Sequence, residues 1–158
     1  MKKKVRMLFA AVFILVMLTA CGEDPELTRF RQSMDDFCTK VSIIDSNINS
    51  IDAESENATQ ELLSYLDDLD LLFQSFAELD FPEEFDYLED LAGESSECMT
   101  EAVKSYHEAF SNGSYNEYTA EYAKEYYSRA YKRVQIIITF LHGEEPDDAD
   151  LTIEYDDE

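Results

Sequence analysis

The chain has 158 residues, 45% of them hydrophobic, which is enough for one domain with a core of its own and too apolar for general disorder. Its 36 acidic side chains face only 12 basic ones, a formal charge of −24. That balance disfavours nucleic acid and anionic surfaces as direct partners and favours cationic ones: basic peptides, basic protein faces or divalent metal.

The first 21 residues divide into three parts. Lys2, Lys3, Lys4 and Arg6 make a positive start, Met7 to Leu18 is an apolar run, and Leu18-Thr19-Ala20-Cys21 closes the segment with small residues before a cysteine. This is the pattern of an export signal, and it is shorter than the roughly 20 apolar residues a membrane-spanning helix needs. The tetrapeptide Leu18-Thr19-Ala20-Cys21 resembles a lipobox, the processing site of bacterial lipoprotein signal peptides. The resemblance covers these 21 residues alone. It implies cleavage after residue 20, a diacylglycerol on the Cys21 thiol, and a lipid-anchored protein on the extracytoplasmic face of the cell membrane. Two acyl chains suffice for stable anchoring where one is marginal. Cleavage removes four basic residues and leaves eight against 36 acidic ones, so the formal charge behind Cys21 falls to −28. Residues 21–26 then read as a short tether that keeps the domain near the bilayer.

Helical periodicity begins at once. Leu27, Phe30, Met34, Phe37, Val41, Ile44, Ile48 and Ile51 alternate spacings of three and four, the seam of one long amphipathic helix. Leu62, Tyr65, Leu69, Leu72, Phe76 and Leu79 form a second seam, with Asn57 and Gln60 placed to cap its start. A third helix opens at Pro82, where proline's fixed φ and the carboxylates of Glu83 and Glu84 suit a helix N-terminus. Its apolar face reads Phe85, Leu88, Ala92, Ser95, Met99, Ala102, Tyr106 and Ala109, and Asn112-Gly113 ends it. Ser114 and Glu117 have capping-box spacing for a fourth helix, whose buried face reads Tyr115, Tyr118, Tyr122, Tyr126, Ala130, Val134, Ile137 and Leu141 before Gly143 closes it. Four helices with short connections predict an all-α, up-down-up-down four-helix bundle over residues 27–143, behind the signal peptide of residues 1–20. Residues 144–158 read as an acidic disordered tail.

Cys38 and Cys98 are an even pair in an oxidising location, which predicts a disulfide. They fall at similar heights on the first and third helices. Those helices are diagonal in a square bundle, so a bridge requires them to approach more closely than usual, helped by Ala92, Ser95 and Ala102.

Little in the sequence speaks for catalysis. His107 and His142 have Lys104 and Thr139 three residues before them, so the Glu-x-x-His pairs of di-iron bundles are absent. Asp45, Asn47, Asn49 and Glu56 occupy positions 1, 3, 5 and 12 of a calcium loop, but Ser50 stands where glycine is needed and the Ile44–Ile48–Ile51 seam runs straight through. No phosphate-binding glycine loop and no nucleophile–base set is visible. The reading is of a non-enzyme with neither cofactor nor resident metal.

Tyrosine is the unusual residue, crowded into the end of the third helix and the fourth. Its rigid amphipathic ring suits binding surfaces and holds cations on its face. Tyr127 and Tyr131 fall off the centre of the fourth helix's stripe and read as exposed. Tyr115 and Tyr118 sit near the bundle end far from Cys21. These four are the candidate binding residues. The expected role is a non-enzymatic binding or adaptor protein toward a protein or cationic peptide. A small-ligand or metal carrier using the bundle interior, and a structural spacer, are the alternatives.

Overall fold

The computed structural model describes residues 24–111 and 115–146. Among them stand four α-helices and no strand: α1 (Pro25–Ser50), α2 (Ala58–Ala77), α3 (Glu89–Ala109) and α4 (Glu117–Leu141), with a 3-10 helix, Glu83–Leu88, leading into α3. None of these helices is long and apolar enough to cross a membrane. Each packs on its neighbour in sequence, most extensively α3 on α4. Tyr127 and Tyr131 of α4 reach the Asp45 carboxylate of α1 and close the ring of helices. The chain is thus an all-α four-helix bundle, as the periodicity predicts.

The start of α1 lies two residues earlier than the apolar spacing suggests. Asp24 accepts the backbone N–H of Glu26 at 2.9 Å and Pro25 fills the first turn, so cap chemistry rather than the first apolar residue sets the boundary. Phe30, Met34 and Phe37 are buried along the expected seam, and Val41, Ile44 and Ile48 pack against the core half-buried. In α2 the buried positions are Leu66, Leu69, Phe73 and Phe76. Leu66 and Phe73 fall outside the expected seam, because apolar residues fill adjacent positions at 62–63, 65–66 and 71–73 and support more than one helical phase. Asn57 precedes α2 without a side-chain cap; its N–H donates to Ser55 Oγ at 3.2 Å and its carbonyl accepts from Glu61 at 2.9 Å.

The segment after Pro82 winds as a 3-10 helix, not as the opening of an α-helix, closing with Phe85 N–H on the Pro82 carbonyl at 2.7 Å. Just before it, Phe81 is buried with its ring 4.7 Å from Phe30 and 6.3 Å from Phe76. Phe37 stacks on Phe76 at 4.4 Å and meets Phe73 edge-on at 5.4 Å. Phenylalanine therefore fills the α1–α2 side of the core. The α3–α4 side is built from small residues: Ala92, Ser95, Ser96, Ala102, Ser105 and Ala109 on α3, and Ala120, Ala123 and Ala130 on α4, all buried. Small side chains let two backbones approach, which is why this pair makes the most extensive contact.

Small residues also explain a phase correction in α4. Its buried stripe is Ala120, Ala123, Ala130, Val134 and Ile137, with Tyr127 half-buried between. The expected tyrosine stripe and this alanine stripe share Ala130, Val134 and Ile137 but diverge toward the N-terminus, where Tyr115, Tyr118 and Tyr122 lie exposed. The helix ends as expected at Gly143. At φ 73° that residue takes the left-handed conformation, with Gly143 N–H on Phe140 O at 2.9 Å and Glu144 N–H on Thr139 O at 3.1 Å.

Cys38 and Cys98 are free thiols, against the expected disulfide. Cys38 lies by Asp35 on its own helix, whereas Cys98 faces Arg133 and Arg129 of α4. The small face of α3 is spent on α4, so α3 does not close on its diagonal partner α1. Burial pushes both thiols above their ordinary range. Arg133 is buried, with Nε donating to Glu94 Oε2 at 2.8 Å and Nη1 to the Arg129 carbonyl at 3.2 Å. It pins α4 to α3 from inside.

Candidate protein-interaction site

The N-terminal half of α4 presents an aromatic and acidic outer face. Asn116 starts the helix by accepting the Thr119 N–H at 3.2 Å, and its own N–H donates to Ala109 O at 2.9 Å, which fixes α4 to the end of α3. Ser114, the expected cap, lies outside the described residues. Burial of Ala120 and Ala123 against α3 turns the opposite side of these turns to solvent. Tyr115 is 60%, Tyr118 85% and Tyr122 40% exposed. Tyr115 leans on Phe110 with ring centroids 5.3 Å apart, and Tyr122 on Tyr126 at 4.7 Å. Tyr118, Glu121, Tyr122, Lys124, Glu125 and Ser128 line one shallow concavity on this face.

A sequence signal marks the face and escapes a search for apolar stripes. The dipeptide Glu-Tyr recurs three times at a spacing of four: Glu117-Tyr118, Glu121-Tyr122 and Glu125-Tyr126. On a helix that spacing makes two adjacent ridges, one of carboxylates and one of rings. The third pair already holds a cation. The Arg129 guanidinium lies 5.1 Å from the Tyr126 ring centre and is ion-paired with Glu125. Lys124 pairs with Glu121 at 3.8 Å, both side chains 70% exposed, and an ion pair that open to water is readily exchanged. The Tyr122 hydroxyl is pushed up to about 12, first by its hydrogen bond to Tyr126 and then by burial and the neighbouring Tyr126 and Glu101. The phenol is neutral at neutral pH, as an ordinary tyrosine is, and a neutral ring can hold a cation on the face turned away from Tyr126.

Of the four candidate tyrosines, Tyr115 and Tyr118 lie on this exposed face. Tyr127 and Tyr131 do not. They stack on each other at 4.7 Å, pack on the core, and Tyr131 meets Phe73 at 5.6 Å. Both hydroxyls donate to the same Asp45 oxygen, Tyr127 at 3.0 Å and Tyr131 at 2.9 Å, and lie 3.1 Å from each other. The expected exposure of this pair is overturned because the α1–α4 seam is wide enough to take two rings and Asp45 satisfies both buried hydroxyls. Burial pushes both phenols well above their ordinary range, reinforced by the charge of Asp45.

The calcium-like spacing at Asp45 is helix throughout as far as Ser50: Asn49 Nδ2 donates to the Asp45 carbonyl at 2.7 Å, and the Asp45 side chain is bound by the tyrosines. Among the described residues no group of three or more His, Cys, Asp and Glu could hold a metal. His107 is exposed and 2.7 Å from Asp67, bridging α3 to α2. The acidic excess is uneven. Residues 41–103 contain 18 Asp and Glu and no Lys or Arg. They supply the end of α1, all of α2 and most of α3, so the field beside the tyrosine face is negative. A second shallow groove runs between α1 and α2, floored by Ile43, Ile44, Leu71 and Leu72.

The fold and this face define an acidic helical bundle with an aromatic–carboxylate surface. No protein-family model, curated protein or solved structure matches the chain.

Proposed function

We propose that this protein is a lipoprotein anchored through Cys21 at the extracytoplasmic face of a membrane, where it binds a protein or cationic peptide without catalysis. The observation that carries the binding reading is the outward run of Tyr118 and Tyr122 between glutamates, at an end of the bundle away from Pro25. Large aromatic side chains left in water cost solvation unless a partner covers them, and aromatic residues dominate the energy of interfaces. A chain of this charge recruits cationic partners quickly.

Gly22, Glu23 and Asp24 alone separate Cys21 from α1, a reach of about 14 Å at full extension. A lipid on Cys21 thus holds the start of α1 near the bilayer. The 26 residues of α1 carry the opposite end about 39 Å outward. The tyrosine face begins at that outer end, where a partner approaches without crossing the acidic flank. The interior favours binding outside over carriage inside: Ser95, Met99, Ala102 and Ile137 are fully buried, and every buried side-chain nitrogen and oxygen among the described residues has a hydrogen-bond partner.

Cross-linking in intact cells at native abundance, followed by mass spectrometry, tests this. One enriched envelope protein or peptide with a basic segment is the expected result. No specific adduct, with a working positive control, overturns the binding role. Replacement of Cys21 by alanine, expected to leave an unprocessed precursor, tests the anchor separately.

A further inference from the structure

The third Glu-Tyr pair shows how this face handles a cation. Arg129 follows Tyr126 by three residues and Glu125 by four, so its guanidinium reaches both the ring and the carboxylate of the preceding turn. At the equivalent position of the two earlier pairs the chain places acids: Glu125 follows Tyr122 by three, and Glu121 follows Tyr118 by three. The Tyr118 ring is therefore flanked by Glu117 and Glu121, and the Tyr122 ring by Glu121 and Glu125. Glu121 is shared with Lys124 through an open ion pair and Glu125 with Arg129, and among the described residues neither ring has a guanidinium three residues after it as Tyr126 has.

We infer that the Tyr118 and Tyr122 steps bind two arginine side chains of a partner segment, each held by ring and carboxylate as Arg129 is held by Tyr126 and Glu125. This names the ligand chemistry of the face proposed above and rests on that reading. Arginine fits these steps better than lysine on two grounds. A planar guanidinium stacks on a ring and forks onto a carboxylate at once, while an ammonium is a compact, strongly hydrated point charge. The cation this chain itself seats on Tyr126 is a guanidinium. Spacing selects the arrangement. Successive Glu-Tyr steps rise about 6 Å along α4, close to the roughly 6.6 Å between alternate, same-facing residues of an extended segment. The ligand is an Arg-x-Arg stretch lying along the first three turns of α4, with its backbone in water.

The test is fluorescence anisotropy at low salt, with the full chain purified in detergent and a labelled Gly-Arg-Gly-Arg-Gly probe. Matched probes carry lysine or citrulline in place of arginine. The arginine probe is expected to bind, the lysine probe several-fold more weakly, and the uncharged citrulline probe not measurably. The double variant Tyr118→Leu/Tyr122→Leu is expected to weaken the arginine probe about tenfold, while Tyr118→Phe/Tyr122→Phe stays within about twofold because the ring is kept. Both tyrosines are exposed, and an unchanged melting temperature confirms that the fold persists. Equal binding of the citrulline probe, or unchanged binding after the leucine substitutions, overturns the assignment. The two levels separate in cells. A partner captured equally by wild type and the leucine variant keeps the binding role and removes this face, whereas no partner for wild type removes the role itself.

Discussion

Tyr131 and Asp45, 86 residues apart in the chain, meet at 2.9 Å across the α1–α4 seam, and the same carboxylate oxygen accepts Tyr127 at 3.0 Å. A half-buried carboxylate satisfied by two phenols locks α1 to α4 where the backbones stand well apart. Replacing Tyr131 by phenylalanine removes one donor and is expected to cost about 1–2 kcal/mol in urea unfolding. Tyr127→Phe/Tyr131→Phe together costs less than twice a single loss plus the desolvation of Asp45, because the two hydroxyls also touch.

The pair also sets an alkaline limit. Both phenols have folded pKa values raised above the ordinary 10, so the folded state holds protons that the unfolded chain has lost. The stability from these protons is fully present below about pH 10 and falls as pH rises toward the folded values, by up to about 1.4 kcal/mol per pH unit for each phenol. Unfolding free energy measured from pH 9 to 11 should drop more steeply for wild type than for Tyr127→Phe/Tyr131→Phe. Parallel curves would mean the hydroxyls are not protonated in place.

Arg133 and Glu94 provide a second check. The arginine side chain is 6% exposed while Glu94 keeps 43% of its side chain in water. Glu94→Gln strands a buried guanidinium and is expected to cost about 2 kcal/mol, below the 3–5 kcal/mol of a fully buried pair because solvent screens the carboxylate. Arg133→Met removes the charge as well and should cost less. A larger loss for Arg133→Met than for Glu94→Gln would show that the pair itself, not the uncompensated charge, holds the helices.

The helix phases show what the sequence made legible. In α1 the spacing of Phe30, Met34 and Phe37 is read correctly because charged and polar residues surround it and one phase wins. In α3, Ala92, Ser95, Met99 and Ala102 are read correctly for the same reason, with Gly93, Glu94 and Glu97 between them. The α4 phase fails in its first half because spacing alone ranks Tyr118 above Ala120, although only the alanine fits a close helix contact. Tyr127 and Tyr131 are misplaced outward because their partner, Asp45, is invisible until the fold brings α1 beside α4. The exposed face was legible after all, in the Glu-Tyr repeat at 117, 121 and 125, a pattern with no apolar signature.

Ala123 is fully buried in the α3–α4 contact, so Ala123→Leu overpacks it and is expected to cost about 2–3 kcal/mol. Tyr118→Leu, on the 85% exposed face, should stay within about 0.5 kcal/mol. Reversal of this order in thermal unfolding would restore the tyrosine stripe as the core.

Thiol counting joins the anchor to the fold. The chain has three cysteines, with Cys38 and Cys98 free. Protein purified without reductant and titrated with a thiol reagent in denaturant should give two equivalents if Cys21 is a thioether. Three equivalents would mean an unmodified Cys21, and none would mean that Cys38 and Cys98 had bridged.

The most direct test of the central claim places a photo-activated cross-linking residue at position 118 in living cells, with the same residue at exposed Asp36 of α1 as control. An adduct at 118, absent at 36, with a peptide segment carrying arginine is the expected result. Adducts that form at 36 and not at 118, or an adduct at 118 with a segment free of basic residues, would contradict the claim that the tyrosine–glutamate face of α4 is where this protein meets its partner.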